Sequence, residues 1–242
     1  TSMQILPGSA NLVGGRSVIL KNVGANTCQA MKVPDAPYGN NIACGENPKR
    51  VYGEKGGPST RMGNMAGYRA AFIGAEAYRR KWDAYEKGGR QGDAPDQDLA
   101  NDTLAGVLRG DVTVNIHCYR ADEMAAMIDL SKEFGFQISS FHHGVEAYKV
   151  ADLLAKEKIC GALWADWWGF KLEAFDGIEE NIALVDRPAG GCAIVHSDSG
   201  EGIQRLNQEA AKVIASSARA QIALRPERAS PWLTSNAAKA LR

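Results

Sequence analysis

Three apolar runs in this chain each end in a polar cluster that carries histidine or aspartate, and their spacing restricts the fold. The clusters are Asn115-Ile116-His117-Cys118-Tyr119-Arg120-Ala121-Asp122, His142-His143-Gly144-Val145-Glu146-Ala147 and Val195-His196-Ser197-Asp198-Ser199-Gly200. His117 and His143 are 26 positions apart, and Asp198 lies 55 beyond His143. One strand–helix unit of a (β/α)8 barrel takes about 30 residues, so these are steps of one unit and then two. Residues so spaced sit at the carboxyl ends of strands and face one mouth. Two imidazoles and a carboxylate form a metal-ligand set, and the carboxylate can also serve as a general base.

The flanking sequence fits that placement. Val112–Ile116, Phe136–Phe141 and Cys192–Val195 are short apolar runs followed by polar residues or Gly, the pattern of buried strands. Helical spacing follows each one. Met124, Met127, Ile128 and Phe134 share a face ahead of a Gly135 cap, Ala147, Val150, Ala151 and Leu154 form a second face, and Ile203, Leu206, Ala210, Val213 and Ile214 form a third. Alternating strand and helix predicts a parallel sheet with helical crossovers.

A length of 242 residues suffices for one domain with a large core, so residues 1–242 are read as a single domain. The 28 basic and 28 acidic residues cancel, which points away from nucleic acid and anionic membranes as partners. No apolar run is long enough to span a membrane, and no signal peptide is visible. The cytoplasm is the expected location, with a small molecule as partner. Cysteines at 28, 44, 118, 160 and 192 are odd in number and lack zinc-ribbon or redox spacing, so reduced, packed thiols are expected. Strand alternation points Cys118 away from its neighbour His117.

Residues 1–23 read as strand, Gly-rich loop and strand, with a further strand at 41–44. A long helix is predicted over roughly 65–85, with Tyr68, Ala71, Phe72, Ala75, Tyr78 and Trp82 on one face. Residues 86–101 are polar and Gly-rich and read as a surface loop.

Six segments stand out as motifs: Pro7-Gly8-Ser9-Ala10-Asn11-Leu12-Val13-Gly14-Gly15, Gly45-Glu46-Asn47-Pro48-Lys49-Arg50, Ile116–Asp122, His143-Gly144-Val145-Glu146-Ala147-Tyr148, His196-Ser197-Asp198 and Thr234-Ser235-Asn236-Ala237-Ala238-Lys239. Together they resemble the metal-dependent amidohydrolase superfamily, above all its imidazolonepropionase-like members. The resemblance implies a (β/α)8 TIM-type barrel holding one or two divalent ions, with zinc the expected metal. It makes His117 the metal-binding histidine of the fifth strand and His143 that of the sixth. Asp198 becomes the eighth-strand aspartate, which binds metal and takes a proton from the attacking water. Glu46 stands nearest the bridging ligand of the fourth strand, with Lys32 a weaker alternative. The family's first-strand His-Xaa-His pair is absent, since the four histidines are His117, His142, His143 and His196. The chain therefore reads as an incomplete barrel, about strands two to eight, without most of the accessory β-sandwich.

The implied activity is metal-dependent hydrolysis of a C–N bond in an amide, cyclic amide or peptide-like substrate. Asp198 and His143 would be the catalytic residues. The alternative is a truncated or degenerate barrel, non-catalytic unless a missing segment or a partner chain completes it. A homo-oligomer or a complementing segment are the assemblies expected in that case. Tyr119, Arg120, Trp168 and Lys171, placed just past strand ends, are candidate substrate contacts. His142 should face away from His143 if its strand is regular. His196, on the parity of Asp198, is expected to support the metal site through hydrogen bonds rather than to ligate.

Overall fold

The computed structural model describes residues 2–167 and 169–241. Its chain divides into two compact units. The first comprises Thr1–Val114 and Leu130–Gln137, and the second Asn115–Asp129 and Ile138–Arg242. Among the described residues no helix is long and apolar enough to cross a membrane.

The first unit opens with β1 (Ser2–Ile5) and β2 (Val13–Lys21), paired antiparallel. A four-residue helix, α1 (Cys28–Met31), precedes β3 (Tyr38–Ala43), which also runs antiparallel to β2. Then come α2 (Glu46–Tyr52), α3 (Arg61–Lys87), α4 (Leu99–Arg109) and β4 (Val112–His117), whose final residues belong to the second unit. The antiparallel joins correct the expectation of an all-parallel set of barrel strands. Parallel strands need a crossover of a dozen or more residues, usually a full helix; the β1–β2 connection is shorter than that, and the β2–β3 connection holds only the four-residue α1. The long helix forms as predicted, with Tyr68, Phe72 and Ala75 buried. Phe72 stacks on Phe134 and Phe136, with centroids 5.2 and 4.6 Å away.

The expected loop at 86–101 is non-helical over 88–98, between the end of α3 and the start of α4. Asp98 caps α4 by accepting from the backbone N–H groups of Ala100 and Asn101 at 2.9 Å. Leu104, Val107 and Leu108 form its buried face, and Gly110, at φ 83°, ends it.

The second unit repeats strand and helix. It contains α5 (Ala121–Phe134, its last turn in the first unit), β5 (Ile138–His142), α6 (Ala151–Lys156), β6 (Cys160–Leu163), α7 (Asn181–Asp186) and β7 (Ala193–Val195). Helices α8 (Leu206–Arg219), α9 (Ala229–Leu233) and α10 (Ser235–Ala240) follow. Strand order follows the chain, and β5–β6 and β6–β7 are parallel. Met124, Met127 and Ile128 of α5 are buried as expected, and so are Ala210 and Val213 of α8, whereas Ile203 is exposed.

Two cysteines are not reduced thiols. Cys160 and Cys192 form a disulfide, which corrects the sequence reading for this pair, while Cys28, Cys44 and Cys118 are free. Spacing along the chain could not indicate it, because the two residues meet only through the register of β6 and β7. Closing a loop of sequence separation 32 stabilises the fold by about 3–4 kcal/mol in the chain-entropy account.

Loss of the α4 cap should be measurable. Asp98→Ala is expected to lower Tm by about 2–4 °C, the equivalent of about 1 kcal/mol for a chain of this size, and Asp98→Asn to retain most of it. Equal Tm for Asp98→Ala and wild type in a thermal melt would remove Asp98 from this role.

Candidate metal centre

All four histidines lie in the second unit, at the ends of β4, β5 and β7. The strand ladder continues to the site. Cys118 N–H donates to His142 O at 3.2 Å, His143 N–H to Ala162 O at 2.8 Å, and His196 N–H to Leu163 O at 2.9 Å. Regular alternation stops at His143, whose φ is 64°. That left-handed residue corrects the expected division of the histidine pair between opposite faces. The His142 ring reaches His196 at 5.6 Å between centroids, and the His143 ring reaches it at 4.7 Å.

The turn after His143 is braced from α7. Asn181 donates to Gly144 O and Val145 O at 2.9 and 3.2 Å and accepts from Tyr148 N–H at 2.9 Å. Gly144 has no room for a side chain without displacement, since a Cβ there would lie 3.1 Å from Leu163 and 3.2 Å from Ala147. Glu146 accepts from the Ala121 N–H at the start of α5, at 3.0 Å. Asn181 escaped the sequence reading because no strand end or metal motif marks it.

His196 Nε2 lies 3.0 Å from His143 Nδ1, and Asp198 Oδ2 lies 3.7 Å from the same nitrogen. Among the described residues, His143, His196 and Asp198 each offer a donor atom within 4.8 Å of the other two. A tetrahedral ion with bonds of 2.0–2.1 Å has donors about 3.3 Å apart, so the two short separations bracket that edge. The protonation states also suit a cation. Burial lowers His117 and His142 to about 3 and His196 to about 4, with repulsion from Lys171 and His196 adding at His117, and from His196 and His117 at His142. Burial, followed by the neighbouring imidazoles and Lys171, takes His143 well below its usual value. Neutral imidazoles keep the lone pair that a metal needs. Burial raises the Asp198 carboxyl, which makes it a stronger base. The donor set therefore fits a divalent ion, and it includes His196 beside Asp198.

His117 is buried, with its ring 4.5 Å from that of His143. His142 is oriented through Ser140. The Ser140 hydroxyl donates to Asn115 Oδ1 at 2.8 Å, so its oxygen accepts from His142 Nε2 at 3.0 Å and leaves Nδ1 as the lone-pair nitrogen. Glu46 is the first residue of α2, in the first unit.

Aromatic rings surround the histidines. Trp164 packs 4.8 Å from His143 and 5.6 Å from both Tyr119 and Trp167. A cavity of about 140 Å³ beside His196 is lined by Trp164, Trp167, Ser197 and Lys212 among others. The expected substrate contacts are largely engaged elsewhere. Tyr119 is buried, with Lys171 Nζ 4.1 Å from its ring centre, and Lys171 pairs with buried Glu173 at 3.0 Å. Arg120 pairs with Asp122 at 3.0 Å. Trp168 lies outside the described residues.

No protein-family model matches the chain. Over 197 residues, 73% of its length, the chain is 36% identical to "Amidohydrolase tasK" of Hapsidospora irregularis, and that match covers 20% of the relative. The fold superposes on the crystal structure of an amidohydrolase from Thermotoga maritima MSB8 with a TM-score of 0.86 and 33% identity, covering 100% of this chain and 61% of that one. These similarities support an amidohydrolase family. The chain spans about a fifth of the curated relative's length and about three-fifths of the solved structure's. Its mixed α/β fold is consistent with part of a TIM-like barrel.

The neutral imidazoles link stability to pH. Their folded-state pKa values lie below the unfolded value near 6.5, so between those limits the unfolded chain binds protons that the folded chain refuses. Stability is therefore full above pH 6.5 and falls as pH drops toward 3, by on the order of 1 kcal/mol per histidine per pH unit. Metal-free protein should lose Tm between pH 6.5 and 5, before most carboxylates titrate. A Tm unchanged across that window would contradict the buried neutral cluster.

Proposed function

We propose that the chain carries the metal-binding part of an amidohydrolase that hydrolyses a C–N bond in an amide, cyclic amide or peptide-like small molecule. The convergence of His143, His196 and Asp198 within 4.8 Å carries the reading. The likeness to two amidohydrolases supports it. The motif resemblance favours the imidazolonepropionase-like branch and a barrel completed by a first-strand segment outside these residues. Zinc is the proposed ion, and His117, its ring 4.5 Å from that of His143, is the proposed ligand of a second one.

An ion held there would supply Lewis acidity toward a carbonyl and a water molecule. The protein's own groups do the rest. His143 and His196, kept neutral by burial, would hold the ion. Asp198, half exposed and with its pKa raised, takes the proton of the attacking water and passes it to the leaving nitrogen. Trp164 and Trp167 border the cavity beside His196. Barrel-mouth loops set specificity on such folds, so the substrate is proposed only as a class.

The test is turnover and metal content of the natural protein against cyclic amides, N-acyl amino acids and dipeptides. Asp198→Asn should cost about 10²- to 10⁴-fold in kcat, as loss of a general base does. His143→Ala should lower bound zinc. Near-normal kcat for Asp198→Asn on a turned-over substrate would exclude the assigned base.

A further inference from the structure

Strand β6 contributes none of the three clustered donors, yet it holds two of the residues that do. The backbone N–H of His143 donates to Ala162 O, and that of His196 donates to Leu163 O. On the other side β6 pairs with β7 in the register Gly161↔Ala193, Ala162↔Ile194 and Leu163↔Val195. One step back along this ladder brings Cys160 opposite Cys192, which the disulfide joins. One step forward brings Trp164 opposite His196, with rings stacked at 6.4 Å and 11° between planes. The covalent bond thus stands at the foot of a two-strand ladder whose head carries the candidate ligand His196. Both cysteines are buried, packed with Ala240 and Ile194.

The ladder is short. β6 has four residues and β7 three, so few hydrogen bonds define their register. A slip of one residue would turn every side chain of a strand to its other face. We propose that Cys160 and Cys192 are positioning residues: their disulfide fixes the β6–β7 register and so holds His196 against His143. The consequence for metal binding rests on the proposed metal centre; the consequence for register does not. Reduction by a dithiol breaks the S–S bond. Each sulfur gains an electron and a proton, and the dithiol closes to its own disulfide. The register then rests on the ladder alone.

The experiment is amide hydrogen exchange, read residue by residue, on the disulfide-intact protein, on the protein reduced with dithiothreitol, and on Cys160→Ala/Cys192→Ala. Zinc affinity is measured on each by chelator competition. Exchange at Gly161, which donates to Cys192 O, and at His196 should rise at least tenfold on loss of the bond. Exchange at Glu146, which donates to Tyr119 O, should stay unchanged. Zinc affinity should fall at least tenfold, and reoxidation of the reduced wild type should restore both. Unchanged exchange at His196 would overturn the inference. An equal rise at Glu146 would overturn it too, because the bond would then hold the whole unit rather than this ladder. Exchange that responds as expected in a protein that takes no zinc in either state would uphold the positioning role and reject the metal reading.

Discussion

The second unit depends on backbone hydrogen bonds to two successive carbonyls of one strand. Ala162 and Leu163 of β6 accept from His143 and His196, whose strands lie on either side of β6. Side chains alone could not set these imidazoles 3.0 Å apart, since each histidine has free rotation about two bonds. The ladder fixes their Cα positions, and Trp164, stacked on His196 and tilted against His143, restricts the rest. Asn181 satisfies the carbonyls of the turn that redirects His143, so the left-handed backbone there is held by hydrogen bonds from α7.

Once placed, the cluster is governed by desolvation. His117 is buried and the other three imidazoles partly so, packed together where protonating one would put a charge among neutral rings. Burial leads the causes that hold all four down, and repulsion between neighbours adds to it for His117, His142 and His143. The same burial raises the Asp198 carboxyl. One physical cause thus prepares imidazole donors for a cation and a carboxylate for accepting a proton. Lys171 contributes positive charge nearby, but it is held by Glu173 and the face of Tyr119.

Much of this was legible in the sequence, for reasons that also explain the failures. The strand-helix alternation of the second unit showed because buried strands and amphipathic helices have different apolar periods. His117, His143 and Asp198 stood out because each follows such a run at a multiple of one unit. Strand direction was hidden, since β2 and β3 have the same local pattern whether paired parallel or antiparallel. Helix α4 was hidden by the polar start Asn101-Asp102-Thr103, although Asp98 and Gly110 mark its ends. His142 was misplaced by an alternation rule that the positive φ of His143 breaks, and the adjoining Gly144 was a local sign of a turn. The disulfide and Asn181 are matters of register between distant segments, which no local pattern encodes.

The central claim is that His143, His196 and Asp198 hold one divalent ion. Anomalous diffraction at the zinc absorption edge from crystals grown with zinc tests it most directly. The account predicts a peak about 2.0–2.2 Å from a nitrogen of each histidine and from an Asp198 oxygen. A peak that leaves His196 outside the coordination sphere, or no peak at the cluster, would contradict it.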